Sequence, residues 1–378
     1  MIQIQFLDNN VVGALVPAYT MKPERVVFLY DERIVTRRGM KDITDALMLR
    51  LPKVQVDFVR GDMHNLADIW EKLSQVLGRF GKQEIQVDIT GGTEIMTACG
   101  LLLCKEHTLT PTYVDFYQGQ VFDVFTREKL AEVDHLTLNE YLCAIGGKHL
   151  DNSRETPEKK DFDRVMRMAE YVFAHQRQWH EFYRHMTNGY SAKYVTEFSM
   201  KKLVTNRGCM DILQMFLECG FCQKVGTDRY EYNSEMDKQC MTIKGTLLEA
   251  YTYIQASQCF DEVVLGARID WNDSDHMDLK DNEIDVVVMH HSQPIFISCK
   301  MTDVENEAVY EVNALAKRLG GEYARSMIAT TDNIRAQAQN VDGMFQRLKK
   351  MKMGLIETRD FHGNTAQDVF AKALRMTE

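Results

Sequence analysis

Short apolar runs alternate with amphipathic segments from Met1 to about Phe125. The strand-like runs are short and rich in β-branched residues: IQIQF, RVVFLY, VQVDFV and EIQVDI. Between them, DITDALMLRL and NLADIWEKLSQVLGRF carry apolar residues at helical spacing, in the second case from Leu66 to Leu77. Strands that alternate with helices predict a parallel, doubly wound sheet of the Rossmann kind. The segment YVDFYQGQVFDVF then predicts a hairpin, with Gln118 and Gly119 at its turn, that closes one edge of the sheet.

The pattern changes after this first unit. The polar stretch GGKHLDNSRETPEKKD, residues 146–161, marks a boundary or a linker. From Phe162 to about His185 the spacing predicts one long amphipathic helix, and MDILQMFLECGFCQKVGTDRYEYN follows with a helix, a glycine stop and a small hairpin at 226–228. That order resembles a winged helix, although a plain structural spacer fits it equally well. From Ile243 onward a helix, several strands and the helix EVNALAKRLGG predict a second α/β unit.

Length and composition indicate an ordinary globular protein of more than one domain. The chain has 378 residues, of which 45% are hydrophobic and 26% are charged. It contains no apolar run of the about 18 residues that a membrane span requires. The N-terminal MIQIQFL alternates like a strand and follows no basic segment. We therefore expect a cytoplasmic protein that does not bind membranes.

Cysteine usage and charge narrow the possible chemistry. The nine cysteines are odd in number and lack the spacing of a disulfide framework. Cys219 and Cys222 form one C-x-x-C, which could hold zinc, but no second ligand pair lies at finger spacing, and a helix end with Gly220 as its terminal turn is the alternative. The net charge of −10 argues against a protein that coats nucleic acid constitutively. Any contact with nucleic acid is expected to be local or gated.

A candidate phosphate-binding turn lies in VDITGGTEIMTACGLLL. Thr90, Gly91, Gly92 and Thr93 follow a strand directly and begin an apolar helix. Glycines let backbone N–H groups approach an anion, and a helix N-terminus adds unpaired donors. The turn is neither G-x-G-x-x-G nor a Walker loop, which disfavours an NAD or NTP site. A tight turn without a ligand remains the alternative.

Two other strand ends are expected to face the same rim, because ligands bind where parallel strands end. They carry amide, hydroxyl and guanidinium groups, which suit purine edges and phosphates. These residues are Asp8, Asn9 and Asn10 after the first strand and Thr36, Arg37 and Arg38 after the second. Solvated surface charge is the alternative for the two arginines.

A second candidate site lies in DNEIDVVVMHHSQPIFISCK, where two apolar strands flank a turn at His290–Pro294. Asp285 lies in the first strand and Lys300 ends the second. Metal-dependent phosphodiester hydrolysis needs oxygen ligands for Mg²⁺ or Mn²⁺ and a cation near the developing charge. Nucleases with this layout usually carry an acid two residues before the lysine, where this chain has Ser298.

Neighbouring segments offer further carboxylates. Glu249 lies on the preceding helix, in TLLEAYTY, and Glu311 lies on the following one. Glu283 shares a strand face with Asp285, since side chains two residues apart point the same way. Each residue alone is more often a surface charge. The order helix-Glu, strand-Asp, hairpin, Lys, helix-Glu is what favours a nuclease site.

Both halves of the chain resemble one known family. DITGGTEIMTACGLLL looks like the signature of CARF domains, the Rossmann-like sensors of cyclic oligoadenylates in type III CRISPR systems. GTLLEAY, NEIDVVV and FISCK, followed by LAKRLGG, resemble the PD-(D/E)XK nuclease domain fused to CARF in ancillary endonucleases of those systems. The resemblance covers nearly the whole chain. It implies a homodimer in which cyclic tetra-adenylate binds across the two-fold axis and switches on metal-dependent cleavage of single-stranded DNA, RNA or nicked duplex.

The resemblance also implies roles for individual residues. Those lining the ligand pocket would be Asn9, Asn10, Thr36, Arg37, Thr90, Gly91, Gly92 and Thr93. The nuclease core would comprise Glu249, Asp285 and Lys300, with Glu311 as the candidate for a recruited carboxylate and Ser298 as a holder of metal-bound water. The chain departs from the family pattern at Glu94, where lysine often follows GGT, and at Ser298, where a metal-binding acid is missing. Glu94 lowers the local positive charge and puts the ligand affinity or ring size in question.

These observations predict an α/β protein of three parts. Residues 1–148 would form a Rossmann-like CARF sensor, 149–238 a helical linker with a winged-helix-like segment, and 239–378 a restriction-endonuclease-like α/β nuclease domain. The predicted function is a homodimeric nuclease of antiviral defence, activated by cyclic tetra- or hexa-adenylate, dependent on Mg²⁺ or Mn²⁺, and acting on DNA, RNA or both. The alternative is an oligoadenylate-sensing regulator that binds nucleic acid through the middle segment and has a degenerate nuclease domain.

Overall fold

The computed structural model covers the full chain. The residues it describes are 1–377 with the exception of 82, 188–195, 204, 272–281, 302–303, 321–323, 338 and 340–342. Of the sequence features discussed above, Asp281 and Gly321 lie outside the described residues. The described helices include none that is both long and apolar enough to cross a bilayer.

The chain divides into two compact units. The first contains residues 1–149 with the described parts of 269–281 and 289–294, and the second contains 150–268, 282–288 and 295–378.

The first unit is built on a mostly parallel sheet. Its strands are β1 (Ile2–Leu7), β2 (Arg25–Tyr30), β3 (Gln55–Arg60), β4 (Ile85–Asp88), β5 (Thr110–Asp115), β6 (Gln120–Asp123) and β7 (Lys129–Glu132). Their order is β3-β2-β1-β4-β5-β6-β7, parallel from β3 to β5 and antiparallel from β5 to β7. The predicted doubly wound sheet and its closing hairpin are confirmed, with Gly119 at the turn in the left-handed region at φ 65°.

Helices pack on this sheet, and each of them begins after a polar N-cap residue. They are α1 (Val11–Met21), α2 (Arg37–Arg50), α3 (Leu66–Phe80), α4 (Glu94–His107) and α5 (Leu138–Ala144). Asn10, Thr36, Asn65, Thr93 and Thr137 each accept backbone N–H groups of the first turn through the side chain. Every residue of β1 is buried, as expected for a central parallel strand with helices on both faces.

The second unit contains most of a mixed sheet and a smaller helical and hairpin region. The elements before residue 282 are β8 (Gly147–Asn152), α6 (Phe162–Ala174), α7 (Gln176–Thr187), β9 (Glu197–Ser199), α8 (Arg207–Glu218), β10 (Cys222–Lys224), β11 (Arg229–Tyr232), α9 (Glu235–Thr242), α10 (Thr246–Ala256) and β12 (Glu262–Trp271). Those that follow are β13 (Asn282–His290), β14 (Gln293–Lys300), α11 (Asn306–Gly320), β15 (Arg325–Thr330), α12 (Met344–Lys350), β16 (Gly354–Glu357) and α13 (Ala366–Arg375). The large sheet has the order β16-β15-β14-β13-β12-β8, and the small one has the order β10-β11-β9.

The single helix predicted from Phe162 to His185 is wrong, because two helices stand in its place. α6 ends at Ala174, His175 leaves the helical conformation at φ −125° and ψ 42°, and α7 begins at Gln176. The His175 ring stacks on Tyr171 at a centroid distance of 4.2 Å, and its Nδ1 lies 2.8 Å from the Tyr171 carbonyl oxygen. The apolar positions on both sides of the break are buried, so hydrophobic spacing alone did not reveal it.

The middle segment shares its hydrophobic core with the C-terminal sheet. Residues of α6, α7 and α8 such as Val165, Phe182 and Phe216 belong to the same buried cluster as Leu247 of α10 and Ile297 of β14. Burial of this shared core makes the described residues of 162–242 a packed part of the second unit. Cys219 and Cys222 lie within the cluster as buried thiols, and Gly220 turns the chain after α8 at φ 72°.

Candidate functional site

The hairpin of β13 and β14 is tighter than the sequence suggested. β13 extends through His290 and β14 begins at Gln293, so only His291 and Ser292 form the turn. Both have positive φ, 49° and 66°, which is the pattern of a type I′ turn that matches strand twist. The predicted turn at His290–Pro294 was therefore too long. The two-residue turn fixes the register that aligns the catalytic candidates.

That register places Asp285 opposite the end of β14. One of its carboxylate oxygens accepts a hydrogen bond from the Cys299 backbone N–H at 2.6 Å and one from Ser298 Oγ at 3.2 Å. Burial raises the pKa of Asp285, and the Cys299 hydrogen bond, the nearby Lys300 ammonium and the Ser298 hydroxyl oppose that rise. Asp285 is thus a largely buried carboxylate with one oxygen already bound by β14.

Asp285, Ser298, Lys300 and Glu311 line one cavity of about 200 Å³, as does Glu283. The structure therefore brings together four of the predicted catalytic residues, from two strands and the helix that follows. The exposed Glu311 side chain enters from α11, and apolar residues of that helix, among them Val312 and Leu315, complete the wall together with Ile284 and Ile297 of the two strands. As far as the described residues define this cavity, Glu249 does not line it.

Glu249 lies beside this cavity, on α10. Its side chain is only 6% exposed, and burial, together with the charge of Asp285, raises its pKa. Arg154 opposes that rise, because its Nε donates to Glu249 Oε2 at 2.8 Å. The same guanidinium lies 3.2 Å from Glu283 Oε1. Arg154 is the functional candidate that the sequence did not reveal, since it stands as a lone arginine in the polar stretch 146–161.

Divalent metal ions fit the chemistry of this donor set. In the described part of the chain, no three His, Cys, Asp or Glu side chains are gathered closely enough to enclose an ion. Mg²⁺, however, is commonly held by one or two carboxylates, with water and substrate phosphate completing its shell. Asp285 and Glu249 lie near enough for the charge of Asp285 to help raise the pKa of Glu249, and the Arg154 guanidinium already places a positive charge against Glu249.

A groove of about 470 Å³ runs along α7 next to the end of β14. It is lined by Gln176, Arg177, Trp179, His180, Glu181, Tyr183, Arg184, Lys244, Met301 and Asp332. Met301 directly follows Lys300 in the chain. Three cations, a histidine and two aromatic residues, of which Trp179 is mostly buried, thus line a groove that begins next to Lys300, against only two carboxylates.

In the first unit, the turn between β4 and α4 packs tightly against β1. A Cβ at Gly91 would lie 2.6 Å from the Phe6 carbonyl oxygen, and one at Gly92, where φ is 89°, would lie 2.5 Å from Phe6 Cβ. The Gly92 N–H donates to Asp8 Oδ2 at 3.0 Å. These glycines are therefore required for packing, and the Gly92 amide that was expected to face an anion is bonded to Asp8.

The other predicted rim residues lie where expected, at the ends of neighbouring strands. Asn10 caps α1 after β1, and its Oδ1 accepts from Val12 and Gly13 at 3.1 Å. Thr36 caps α2 and Arg37 is its first residue, and both side chains are exposed, as is Asn9. Because β2 and β4 flank β1 in the sheet, these groups share one edge with the turn at 90–93.

Thr90 and Thr93 are fixed within the turn by hydrogen bonds. The Thr90 N–H donates to Asp88 Oδ1 at 3.0 Å, and Thr90 Oγ1 accepts from the Val114 N–H at 2.9 Å. Thr93 Oγ1 lies 3.3 Å from the Met63 carbonyl oxygen. A further cavity, of about 550 Å³, lies at the ends of β2 and β3 and is lined by both acidic and basic residues, the basic ones being Arg33, Arg60 and Lys72. These three cations belong to no motif that the sequence displays.

Two family models match the chain. The Card1 CARF domain matches residues 3–141, and the Card1-like endonuclease domain matches residues 237–360. The predicted architecture, an N-terminal CARF domain, a helical middle and a C-terminal endonuclease domain, is thereby confirmed. No curated protein shows significant sequence similarity to the chain.

Solved structures share the fold at low sequence identity. Protein VC1899 from Vibrio cholerae superposes with a TM-score of 0.78 at 14% identity, covering 100% of this chain and 98% of that one. Can2 from Sulfobacillus thermosulfidooxidans, solved with cyclic tetra-adenylate, gives 0.71 at 17%, covering 99% of both chains. A type III CRISPR defence DNA nuclease activated by cyclic oligoadenylate gives 0.54 at 15%, covering 87% of this chain and 45% of that one.

Proposed function

Because the chain belongs to the Card1-like family of CARF-domain endonucleases, we propose that it is a homodimeric nuclease of type III CRISPR defence. In this proposal a cyclic oligoadenylate activates it, and it requires Mg²⁺ or Mn²⁺ to cleave DNA, RNA or both. The observation that carries the catalytic part is the single cavity lined by Asp285, Ser298, Lys300 and Glu311.

We assign roles to the residues of this cavity and to Glu249 beside it. Asp285 and Glu249 would hold the metal ion, and Glu311 would replace the carboxylate that Ser298 removes. The Ser298 hydroxyl, which donates to Asp285, fixes the orientation of that carboxylate. The Lys300 ammonium lies at the same cavity, where it would stabilise negative charge that develops on the phosphate. A bound divalent ion supplies Lewis acidity and a water of lowered pKa.

The activator is proposed by similarity to Can2, which was solved with cyclic tetra-adenylate. In this chain the proposed binding residues are Asn9, Asn10, Thr36, Arg37, Thr90, Gly91, Gly92 and Thr93. Their position at the carboxyl edge of a parallel sheet supports the proposal, because ligands of such folds bind there. The ligand would shift the dimer toward its active state by as much as it prefers that state. Cyclic hexa-adenylate is the second candidate ring.

The groove along α7 supports a path for the substrate strand. Arg177, Arg184 and Lys244 would contact phosphates, and Trp179 and Tyr183 border the groove with aromatic surface. Cations combined with aromatic side chains are what single-stranded nucleic acid requires. A local basic groove on a chain of net charge −10 also agrees with substrate binding that is confined to one place.

The proposal is tested by cleavage of labelled single-stranded DNA and RNA. Purified protein is incubated with Mn²⁺, with and without cyclic tetra- or hexa-adenylate. We expect products only with metal and ligand together, and none from Asp285→Asn or Lys300→Met. Asp261→Asn, at an exposed carboxylate before β12, serves as the matched control and should cleave like the unmodified protein. Cleavage at the same rate with and without the cyclic oligoadenylate would refute the proposal. So would cleavage that persists in both Asp285→Asn and Lys300→Met.

The alternative function, a regulator with a degenerate nuclease domain, is favoured by Ser298 in place of the acid. Such a regulator would shift a DNA duplex in a gel with EDTA present, in response to cyclic oligoadenylate. It would give no Mn²⁺-dependent products. The two functions are therefore separated by one pair of reactions that differ only in metal.

A further inference from the structure

Arg154 contacts two carboxylates of the second unit, one of which, Glu249, is a proposed metal ligand. Its Nε lies 2.8 Å from Glu249 Oε2, and its Nη1 lies 3.2 Å from Glu283 Oε1. The Arg154 side chain is 14% exposed and that of Glu249 is 6% exposed, so the pair is largely shielded from water. One guanidinium thus bridges an acid of α10 and an acid of β13.

The segment that carries Arg154 is held in place by its backbone. The Ser153 N–H donates to the Gly266 carbonyl oxygen at 2.7 Å, and Ser153 Oγ donates to Glu283 Oε1 at 2.7 Å. Gly266 has φ 62°, and a Cβ there would lie 2.5 Å from Ser153 Oγ and 3.0 Å from the Arg154 nitrogen. Only glycine allows this close approach of the chain to β12. The position of Arg154 is therefore built into the fold.

A guanidinium and a divalent ion held by the same carboxylates repel each other, so each weakens the binding of the other. Arginine does not lose its proton in proteins, so Arg154 can release Glu249 only by moving away. While no metal is bound, its charge offsets those of Glu249 and Glu283, whose oxygens lie 2.8 and 3.2 Å from the guanidinium nitrogens. The buried Glu249 carboxylate would be costly without a cation beside it.

We propose that Arg154 is an internal counter-cation that holds Glu249 and Glu283 in the metal-free site and is displaced when a divalent ion binds. The inference rests on the proposed function, since it takes Glu249 as a metal ligand. Arg154 is on this view a positioning residue that competes with the metal. It lies in sequence between the matched domains 3–141 and 237–360, outside both family models.

The test is the affinity of the full chain for Mn²⁺, measured by calorimetry without nucleic acid. If the guanidinium occupies the site nine-tenths of the time, Arg154→Met should bind Mn²⁺ about tenfold more tightly, because the competent fraction rises to one. The melting temperature of Arg154→Met should be lower than that of the unmodified protein without metal, and Mn²⁺ should raise it by more. Arg154→Lys should fall between the two, since an ammonium cannot bridge both carboxylates as the planar guanidinium does.

Arg268→Met is the matched control. Arg268 lies on β12, near Gly266, and pairs with Asp151 at 3.0 Å on a more exposed surface. Its loss should leave Mn²⁺ affinity unchanged.

Unchanged or weaker Mn²⁺ binding by Arg154→Met would overturn the inference, because the guanidinium would then support the metal. If Arg154→Met does not fold, Arg154→Lys decides, and Mn²⁺ binding no tighter than that of the unmodified protein refutes the competition. If the unmodified protein binds no Mn²⁺ at all, the proposed metal-dependent nuclease fails, and this inference fails with it. The first two outcomes leave the nuclease proposal intact.

Discussion

The buried carboxylate of Asp88 gives a prediction whose size and sign follow from the structure. Asp88 ends β4 with 1% of its surface exposed. Its oxygens accept hydrogen bonds from the Thr90 N–H at 3.0 Å and from Thr112 Oγ1 at 2.8 Å. Asp88 therefore holds the start of the turn at 90–93 through the hydrogen bond from Thr90. The perturbation is Asp88→Asn, which keeps the shape of the side chain and removes its titration.

Burial raises the pKa of Asp88 to about 6 from the ordinary 3.8, and the hydrogen bonds from Thr112 and Thr90 oppose that rise. Between these values the unfolded chain has lost the proton and the folded chain has kept it, so rising pH favours unfolding. The stabilising contribution is complete below pH 3.8 and lost once the pH passes about 6. The difference between the two pKa values corresponds to about 3 kcal/mol of unfolding free energy, at about 1.4 kcal/mol for each tenfold change in proton affinity.

The assay is urea unfolding of both proteins from pH 4 to pH 8 at constant ionic strength. The free energy of unfolding of the unmodified protein minus that of Asp88→Asn should fall by up to about 3 kcal/mol from pH 4 to pH 7 and then stay constant. Asp45→Asn, at an exposed carboxylate of α2, controls for the loss of a negative charge. A difference that stays flat across this range would refute the reasoning.

Three further predictions concern the two sites. Ser298→Glu restores an acid next to Asp285 and should tighten Mn²⁺ binding about tenfold in calorimetry; no gain would mean that position 298 does not reach the ion. Arg184→Ala should weaken binding of single-stranded DNA and reduce the slope of log K against log salt by about 1 in a fluorescence titration; an unchanged slope would place the strand elsewhere. Gly92→Ala should destabilise the protein to urea by about 2–4 kcal/mol through contact with Phe6, whereas Gly119→Ala, at positive φ but with open space around it, should cost about 1 kcal/mol. If both substitutions lower the free energy of unfolding equally, contact with Phe6 does not explain the loss at Gly92.

The strands and helices of the first unit were predictable because each is short and regular and has recognisable residues at its ends. The buried runs of β1 and β2 and the helical spacing of α3 each give one periodic signal, and Asn65 and Thr93 begin helices with recognisable caps. The break at His175 was not predictable, because the apolar spacing continues across it. Nor did the sequence reveal that the middle segment shares one core with the C-terminal sheet. That depends on long-range packing, such as Phe182 against Phe216 at a ring distance of 5.6 Å.

The hairpin of β13 and β14 was predictable because Asp285 and Lys300 are fixed by strand periodicity across a short turn. The position of Glu249 beside the cavity was less accessible, since helix spacing does not determine which neighbour a buried carboxylate meets. Arg154 could not be identified at all. Arg154 is placed by a contact between the polar stretch at 146–161 and Gly266. Gly266 lies in a strand more than a hundred residues later in the chain. Pattern analysis finds residues on periodic elements, and Arg154 is on none.

We propose that Asp285 and neighbouring carboxylates hold a divalent ion, and anomalous diffraction from crystals soaked in Mn²⁺ would locate that ion. We expect a manganese peak within about 2.5 Å of an Asp285 carboxylate oxygen and of a second carboxylate, from Glu249 or Glu311, with the Arg154 guanidinium moved away. A crystal in which manganese binds elsewhere, or in which Asp285 and both glutamates keep their metal-free contacts at saturating Mn²⁺, would contradict it.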